Sequence, residues 1–356
     1  MKHKLLPLLV AGLTAVIAGP AVAAAPTVYG KVNVTLHKFD LERVNGNGVK
    51  FDHADNWELE SNASRIGIKG DFDITDNLKA IYKLEYEVTV DGDDDTFSQR
   101  NIYGGFQGNF GTLIAGKHDT PLKLAQGDVD RFNDLAIADI KNIMVGENRQ
   151  SNIVMYSTPS MGGFGATVAF MPGEETVDAA GQKVENDGIA DAVSAAITYS
   201  NDLVYLALAH DKDVDTYDAT RVVADFNLGA FTIGGMYQTA EHGSDAAALK
   251  DISDPLKQFG GSFEEQDAYL LSGVWKMNDK WSLKAQYGYS ESTPLVAGWG
   301  DAEATLYAVG LDYKLGKNAK VFAYYANLEA EGDYDIAFNS TSTDDSTFAI
   351  GYELKF

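Results

Sequence analysis

The chain has no cysteine, no catalytic fingerprint and few basic residues, and after its first segment it has no long apolar run. Without cysteine there is no thiolate metal site, thiol nucleophile, redox switch or disulfide framework. With 28 basic against 52 acidic side chains the formal charge is −24, which repels nucleic-acid phosphates and argues against DNA or RNA as a partner. No G-x-S-x-G elbow, P-loop or dinucleotide motif occurs, so the chain is not expected to be an enzyme or to need a cofactor. The histidines left after the leader, at 37, 53, 118, 210 and 242, show no metal-ligand spacing. Lacking a run of about 20 apolar residues, the chain crosses no membrane as a helix, and a closed barrel is the remaining way to span one.

Met1 to Ala23 reads as a secretory signal. Lys2 and Lys4 precede an apolar stretch from Leu5 to Ile17, and the small-residue ending Ala21-Val22-Ala23 follows. Cleavage after Ala23 moves the net charge to −26 and leaves a single domain over 24–356.

Alternation of period two pervades that domain. From Leu78 to Val90 the mostly apolar positions Leu78, Ala80, Tyr82, Leu84, Tyr86 and Val88 alternate with Lys79, Lys83, Glu85, Glu87 and Thr89, one face for lipid and one for water. The pattern predicts sixteen strands, near 27–39, 60–74, 77–90, 97–108, 110–118, 149–158, 164–172, 189–200, 203–211, 218–227, 230–240, 264–276, 281–291, 302–315, 319–331 and 346–356. Their connections alternate. Short turns centre on Asp76-Asn77, Gly108-Asn109, Met161-Gly162, Asn201-Asp202, Gly229, Asn278-Asp279 and Lys317-Asn318. Between them lie long acidic stretches at Asp40–Glu58, Asp91–Thr96, Gly173–Gly188, Glu241–Phe263 and Ala330–Ser346. Such asymmetry marks an all-β, sixteen-stranded antiparallel transmembrane barrel. The last strand alternates Phe348, Ile350, Tyr352, Leu354 and Phe356 with Ala349, Gly351, Glu353 and Lys355, and resembles the assembly signal of outer-membrane barrels.

Five fragments, in order, resemble the general diffusion porins of Gram-negative bacteria. They are Tyr29-Gly30-Lys31, Ser64 to Gly70, Arg100 to Phe106, Gly116 to Pro121, and Arg149 to Pro159. The resemblance implies an outer-membrane channel for passive diffusion of small hydrophilic solutes and ions. It also implies a homotrimer set in outer-membrane lipid and lipopolysaccharide, and a third long loop, here Asp119 to Asn148, folded inward as a constriction. A barrel this wide needs such a narrowing to discriminate among solutes.

The family's basic wall positions carry over onto Lys31, Arg65, Arg100 and Arg149. Facing them, Asp128, Asp130, Asp134 and Asp139 are the acidic loop candidates, and opposed rows of charge set up a transverse field. Lys31 and Arg65 lie on the polar face of their strands. Arg100, which shares parity with Ile102 and Phe106, and Arg149 sit in strands of muddled alternation, so their lumen placement rests on the resemblance. With the waist near neutral, acidic vestibules predict weak cation selectivity. The alternatives are a substrate-specific porin for anions or sugars, and an adhesive or structural barrel. Asp211, Asp213 and Asp215 look like the opening of a calcium loop, but Thr216 and Val222 stand where it needs glycine and glutamate, and the acids read as loop charge.

Overall fold

The structure, a computed structural model, describes residues 25–45, 50–92, 96–173, 176–177, 183–184, 188–243, 263–294, 301–334 and 340–356. The leader expected at 1–23 lies outside them, as do 93–95 and most of the stretch from 241 to 263.

The first group of strands is β1 (Thr27–Asn45), β2 (Lys50–Ser61), β3 (Arg65–Thr75), β4 (Leu78–Val88), β5 (Phe97–Gly108) and β6 (Gly111–Asp119). A one-turn helix α1 (Pro121–Ala125) and a 3-10 turn (Ile140–Asn142) lie in the following loop. Next come β7 (Arg149–Ser157), β8 (Phe164–Met171) and a separate small hairpin of β9 (Thr176–Val177) and β10 (Lys183–Val184). The rest are β11 (Ala192–Ser200), β12 (Val204–Val214), β13 (Tyr217–Leu228), β14 (Phe231–His242), β15 (Phe263–Lys276), β16 (Trp281–Pro294), β17 (Ala302–Lys314), β18 (Ala319–Tyr334) and β19 (Ser340–Lys355).

Apart from the small hairpin, neighbours pair antiparallel around one sheet. β2 and β3 both pair with β1 and form one strand interrupted at Asn62–Ser64, so the sheet has sixteen staves. β1 also pairs with β19, from Lys31 opposite Lys355 to Asn45 opposite Ser340, and this seam closes the barrel. Gly30 and Phe356 exchange both backbone hydrogen bonds, at 2.9 and 3.1 Å. A Cβ on Gly30 would overlap the Phe356 ring, so glycine is needed there.

All sixteen predicted strands are present, and the seven short turns fall where the sequence places them. Over most of the wall every second residue faces outward and is apolar: Ile197, Leu208, Leu271 and Ile350 are each more than half exposed, while Ser194, Ala209, Ala268 and Ala349 on the other face are buried. Among the described residues no helix is long and apolar enough to cross a membrane.

Three stretches read as loops are instead paired backbone. β1 and β2 continue to Asn45 and from Lys50, through most of Asp40–Glu58. β18 and β19 extend through much of Ala330–Ser346. Asp211 to Asp218 is a tight hairpin whose turn residues Asp215 and Thr216 have φ of 54° and 73°. Beyond the lipid both faces are wet, so a strand there needs ladder hydrogen bonds but no apolar alternation.

Residues 120–148 turn into the barrel and supply its true core. Leu122, Val129, Ile140, Ile143 and Met144 are buried against Ala207, Ala219, Met236, Ala268, Leu270 and Leu306 of the wall. Phe132 sits against Ala308, Phe322 and Tyr324 in a second cluster. Thr120 caps α1 by accepting the Lys123 N–H at 3.2 Å, with Pro121 beginning the helix.

Candidate functional site

The loop is fixed to the β11–β18 side by polar bonds as well as apolar packing. Arg221 donates to Glu147 (2.8 Å), the Val145 carbonyl (3.2 Å) and Gln238 (2.8 Å). Arg131 bonds Asp225, Ser272 donates to the Val129 carbonyl at 2.6 Å, and Lys284 donates to the Arg131 carbonyl at 3.0 Å over the face of Phe132. A Cβ on Gly310 would crowd that Phe132 ring at 2.9 Å.

The opposite side stays open. A cavity of about 760 Å³ runs between the loop and the wall of β2 to β7. Its lining carries eight acids, Glu58, Glu60, Glu87, Asp91, Asp119, Asp134, Asp139 and Glu147, against five bases, Arg65, Lys123, Arg100, Lys141 and Arg149. The formal balance of the lining is therefore −3.

Of the four basic candidates, Arg65, Arg100 and Arg149 line this cavity, whereas Lys31 touches its edge through Asp134. A bulge explains the parity of β5. Leu84 pairs with Ile102 but Tyr86 with Gln99, so Glu85 faces both Arg100 and Asn101, and the face each residue takes switches there. Arg100 thus points inward while Ile102 continues the outward row. β7 shifts register at the same level, with Asn152 at φ 56°.

None of these cations stands free. Arg100 bonds Glu85 at 3.2 Å and Glu87 at 2.6 Å. Arg149 bonds Asp119 at 2.9 Å and the Asn101 side-chain oxygen at 2.9 Å. Lys31 and Arg65 both reach Asp134, at 2.9 and 3.0 Å.

The acidic candidates divide. Asp134, at φ 67°, extends from the loop to touch the wall. Burial alone would raise its carboxyl, but Lys31 and Arg65 outweigh that and hold it below the usual carboxylate value. Asp139 lines the cavity while accepting the backbone N–H groups of Asp134 and Lys141, both at 2.9 Å. Asp130 does not line the cavity; it is buried, and accepts from Phe132 and Ile140 N–H at 3.0 and 3.2 Å. Burial, then Asp139, pushes its carboxyl upward. Asp128 is exposed and is not itself part of the lining, although Gly127 beside it is. Burial likewise raises Glu147, with Arg221 opposing.

The charge pattern therefore departs from the expected opposition of a basic wall and an acidic loop. The wall adds Glu58, Glu60 and Glu87, and the loop adds Lys123 and Lys141, so each side carries both signs. Polar-face parity could have exposed Glu85 and Glu87, but the loop's own bases carry no signal before its path is known.

A family model described as "Gram-negative porin" matches residues 9–333. The chain belongs to the Gram-negative porin family. Its relatives place this porin in the outer membrane, and the family consists of channels without catalytic activity. It is similar to the major outer membrane protein P.IB of Neisseria gonorrhoeae, at 28% identity over 48% of this chain and 49% of that protein, so it spans about half the length of that relative. With the P.IB protein of Neisseria sicca it shares 27% identity over 81% of this porin and 79% of the relative. The fold matches the anion-selective porin of Comamonas acidovorans with a TM-score of 0.68, at 17% identity over 93% and 99% of the two chains. OmpT of Vibrio cholerae, solved in a trimer form, matches with a TM-score of 0.62, at 19% identity over 94% and 100%.

Proposed function

We propose that this porin passes small hydrophilic solutes and ions by passive diffusion, with weak preference for cations. The observation that carries the reading is the open polar cavity beside the loop, whose lining has three more acids than bases. Ions crossing this waist shed part of their hydration, so fixed charges there act through a lower effective dielectric than those of the outer loops. The loop charges at the mouth are screened beyond roughly 8–10 Å at physiological salt and add to the same sign. Reversal potential in a potassium chloride gradient tests the preference; clear anion preference at low salt overturns it.

The same reading includes a homotrimer. The outer face of β5–β7 departs from the apolar pattern, with Gly104, Ala115, Lys117, Ser151 and Asn152 on a surface that elsewhere carries large apolar side chains. A second copy covers such a face better than lipid does, while the remaining outer face meets outer-membrane lipid and lipopolysaccharide. Light scattering in mild detergent giving a monomer mass counts against the trimer.

A further inference from the structure

On the lumen face of β3 and β4, Lys69 stands directly across from Lys83. Like charges in register destabilise a sheet, and a sheet that keeps them gains when something negative lies between. Tyr29 lies beside both lysines. Its ring lies over Gly67, where a Cβ would overlap it, and its hydroxyl donates to Glu85 at 2.8 Å. The ammonium groups of Lys69 and Lys83 lie 5.3 and 5.8 Å from that ring's centre, so no more than about 11 Å separates them.

The pair is neutralised only in part. Glu85 contacts Lys83 at 3.2 Å but is shared with Tyr29 and Arg100. Lys69 is exposed and has no carboxylate partner among the described residues. Flexible lysine stems can close on a small ligand, and two ammonium groups match the several acceptors of an oxyanion.

We propose that Lys69 and Lys83 hold a small oxyanion, inorganic phosphate or the carboxylate of a solute, about 13 Å to the periplasmic side of Arg65. The site goes beyond the diffusion reading and rests on it only for how the anion arrives. Cations collect at the acidic waist, and oxyanions pause below it.

Calorimetric titration of the purified protein in detergent with sodium phosphate tests this directly. The native chain is expected to give saturable heat, and Lys69→Gln to weaken the apparent Kd by at least about tenfold, the loss of one charge-assisted hydrogen bond. Lys69→Arg, keeping the charge at an exposed position, is expected to retain most of the binding. No saturable heat from the native chain, or equal affinity in Lys69→Gln, overturns the site. Single-channel current in potassium chloride separates the two proposals. Phosphate binding without any current breaks the channel reading and leaves the site standing, whereas current without phosphate binding does the reverse.

Discussion

The two halves of the barrel interior differ in kind. Against β11–β18 the lumen face sets alanine, leucine and methionine among bonded polar groups such as Arg221, Gln238, Ser272 and Lys284, and is filled by the loop, with Leu122, Val129, Phe132, Ile140 and Ile143 wholly buried. Against β2–β7 the wall presents arginine, glutamate and aspartate to a cavity that stays open. One half gives the loop a seat and the other gives solutes a path. The waist is therefore set by which wall the loop can dry out, since apolar burial fixes position while paired charges leave room for water.

The strongest way to break this contrast is to unseat the loop. Phe132→Ala removes a buried aromatic from its socket between Gly310, Lys284 and Tyr324, and is expected to cost the seat about 3–5 kcal/mol. Single-channel conductance should rise and become noisy while gel mobility still reports a closed barrel. Unchanged conductance would mean that the loop is held elsewhere.

Changing the open wall has a smaller effect, on selectivity rather than size. Arg65→Ala deletes one cation of the lining and leaves Asp134 with Lys31 alone. A unit charge about 4 Å from an ion is worth roughly 1–4 kcal/mol between bulk water and a protein-surface dielectric, so the potassium-to-chloride permeability ratio should rise severalfold at low salt. The shift should shrink as salt increases. An unchanged reversal potential would show that Arg65 does not face the ion path.

pH should separate the two halves further. Asp134 is held low by Lys31 and Arg65, so its contribution is present above the ordinary carboxylate value and is lost as pH falls through the depressed one. Asp130 is held high by burial and by Asp139, so its contribution is full in acid and is lost as pH rises through the raised value. Open-channel noise should thus be lowest between the two limits. Asp130→Asn should reduce the alkaline rise, with Glu147, also raised by burial, carrying the remainder, and leave the acid one; an alkaline rise of unchanged size in that variant would refute the assignment. The smallest effect is expected from Asp128→Asn. This exposed carboxylate lies off the lining, and its loss should change stability by less than about 0.5 kcal/mol and leave selectivity unaltered.

What was legible in the sequence follows the same division. Lipid imposes strict alternation, so the membrane-spanning strands could be read residue by residue. The ends of β1, β2, β18 and β19 could not, because residues such as Asp40, Glu58 and Glu331 pair through their backbones with both faces wet. Arg100 was obscured by one extra residue at Asn101, which reverses parity without marking the sequence. The loop was the least legible part. Its apolar residues have no period, because they fit a surface assembled from strands between 72 and 188 residues further along, as the bonds from Leu122 to Ser194 and from Tyr324 to Ala136 show. Asp130 is hidden for the same reason: among the loop acids nothing local distinguishes a carboxylate that caps buried N–H groups from one that faces water.

The seam between β1 and β19 governs the order in which the molecule can be made. Its partners, such as His37 and Thr347, stand 310 positions apart, and joining ends that distant costs about 5 kcal/mol of chain entropy beyond a constant term. Until they meet, each flank is a row of unsatisfied amides in contact with hydrocarbon, or a template for a foreign strand. Fourteen of the staves can zip to their neighbours while the cylinder is still an open trough, yet none of that relieves the two rims. Insertion and closure are thus one event rather than two, and a newly made chain needs both rims sheltered until Gly30 meets Phe356.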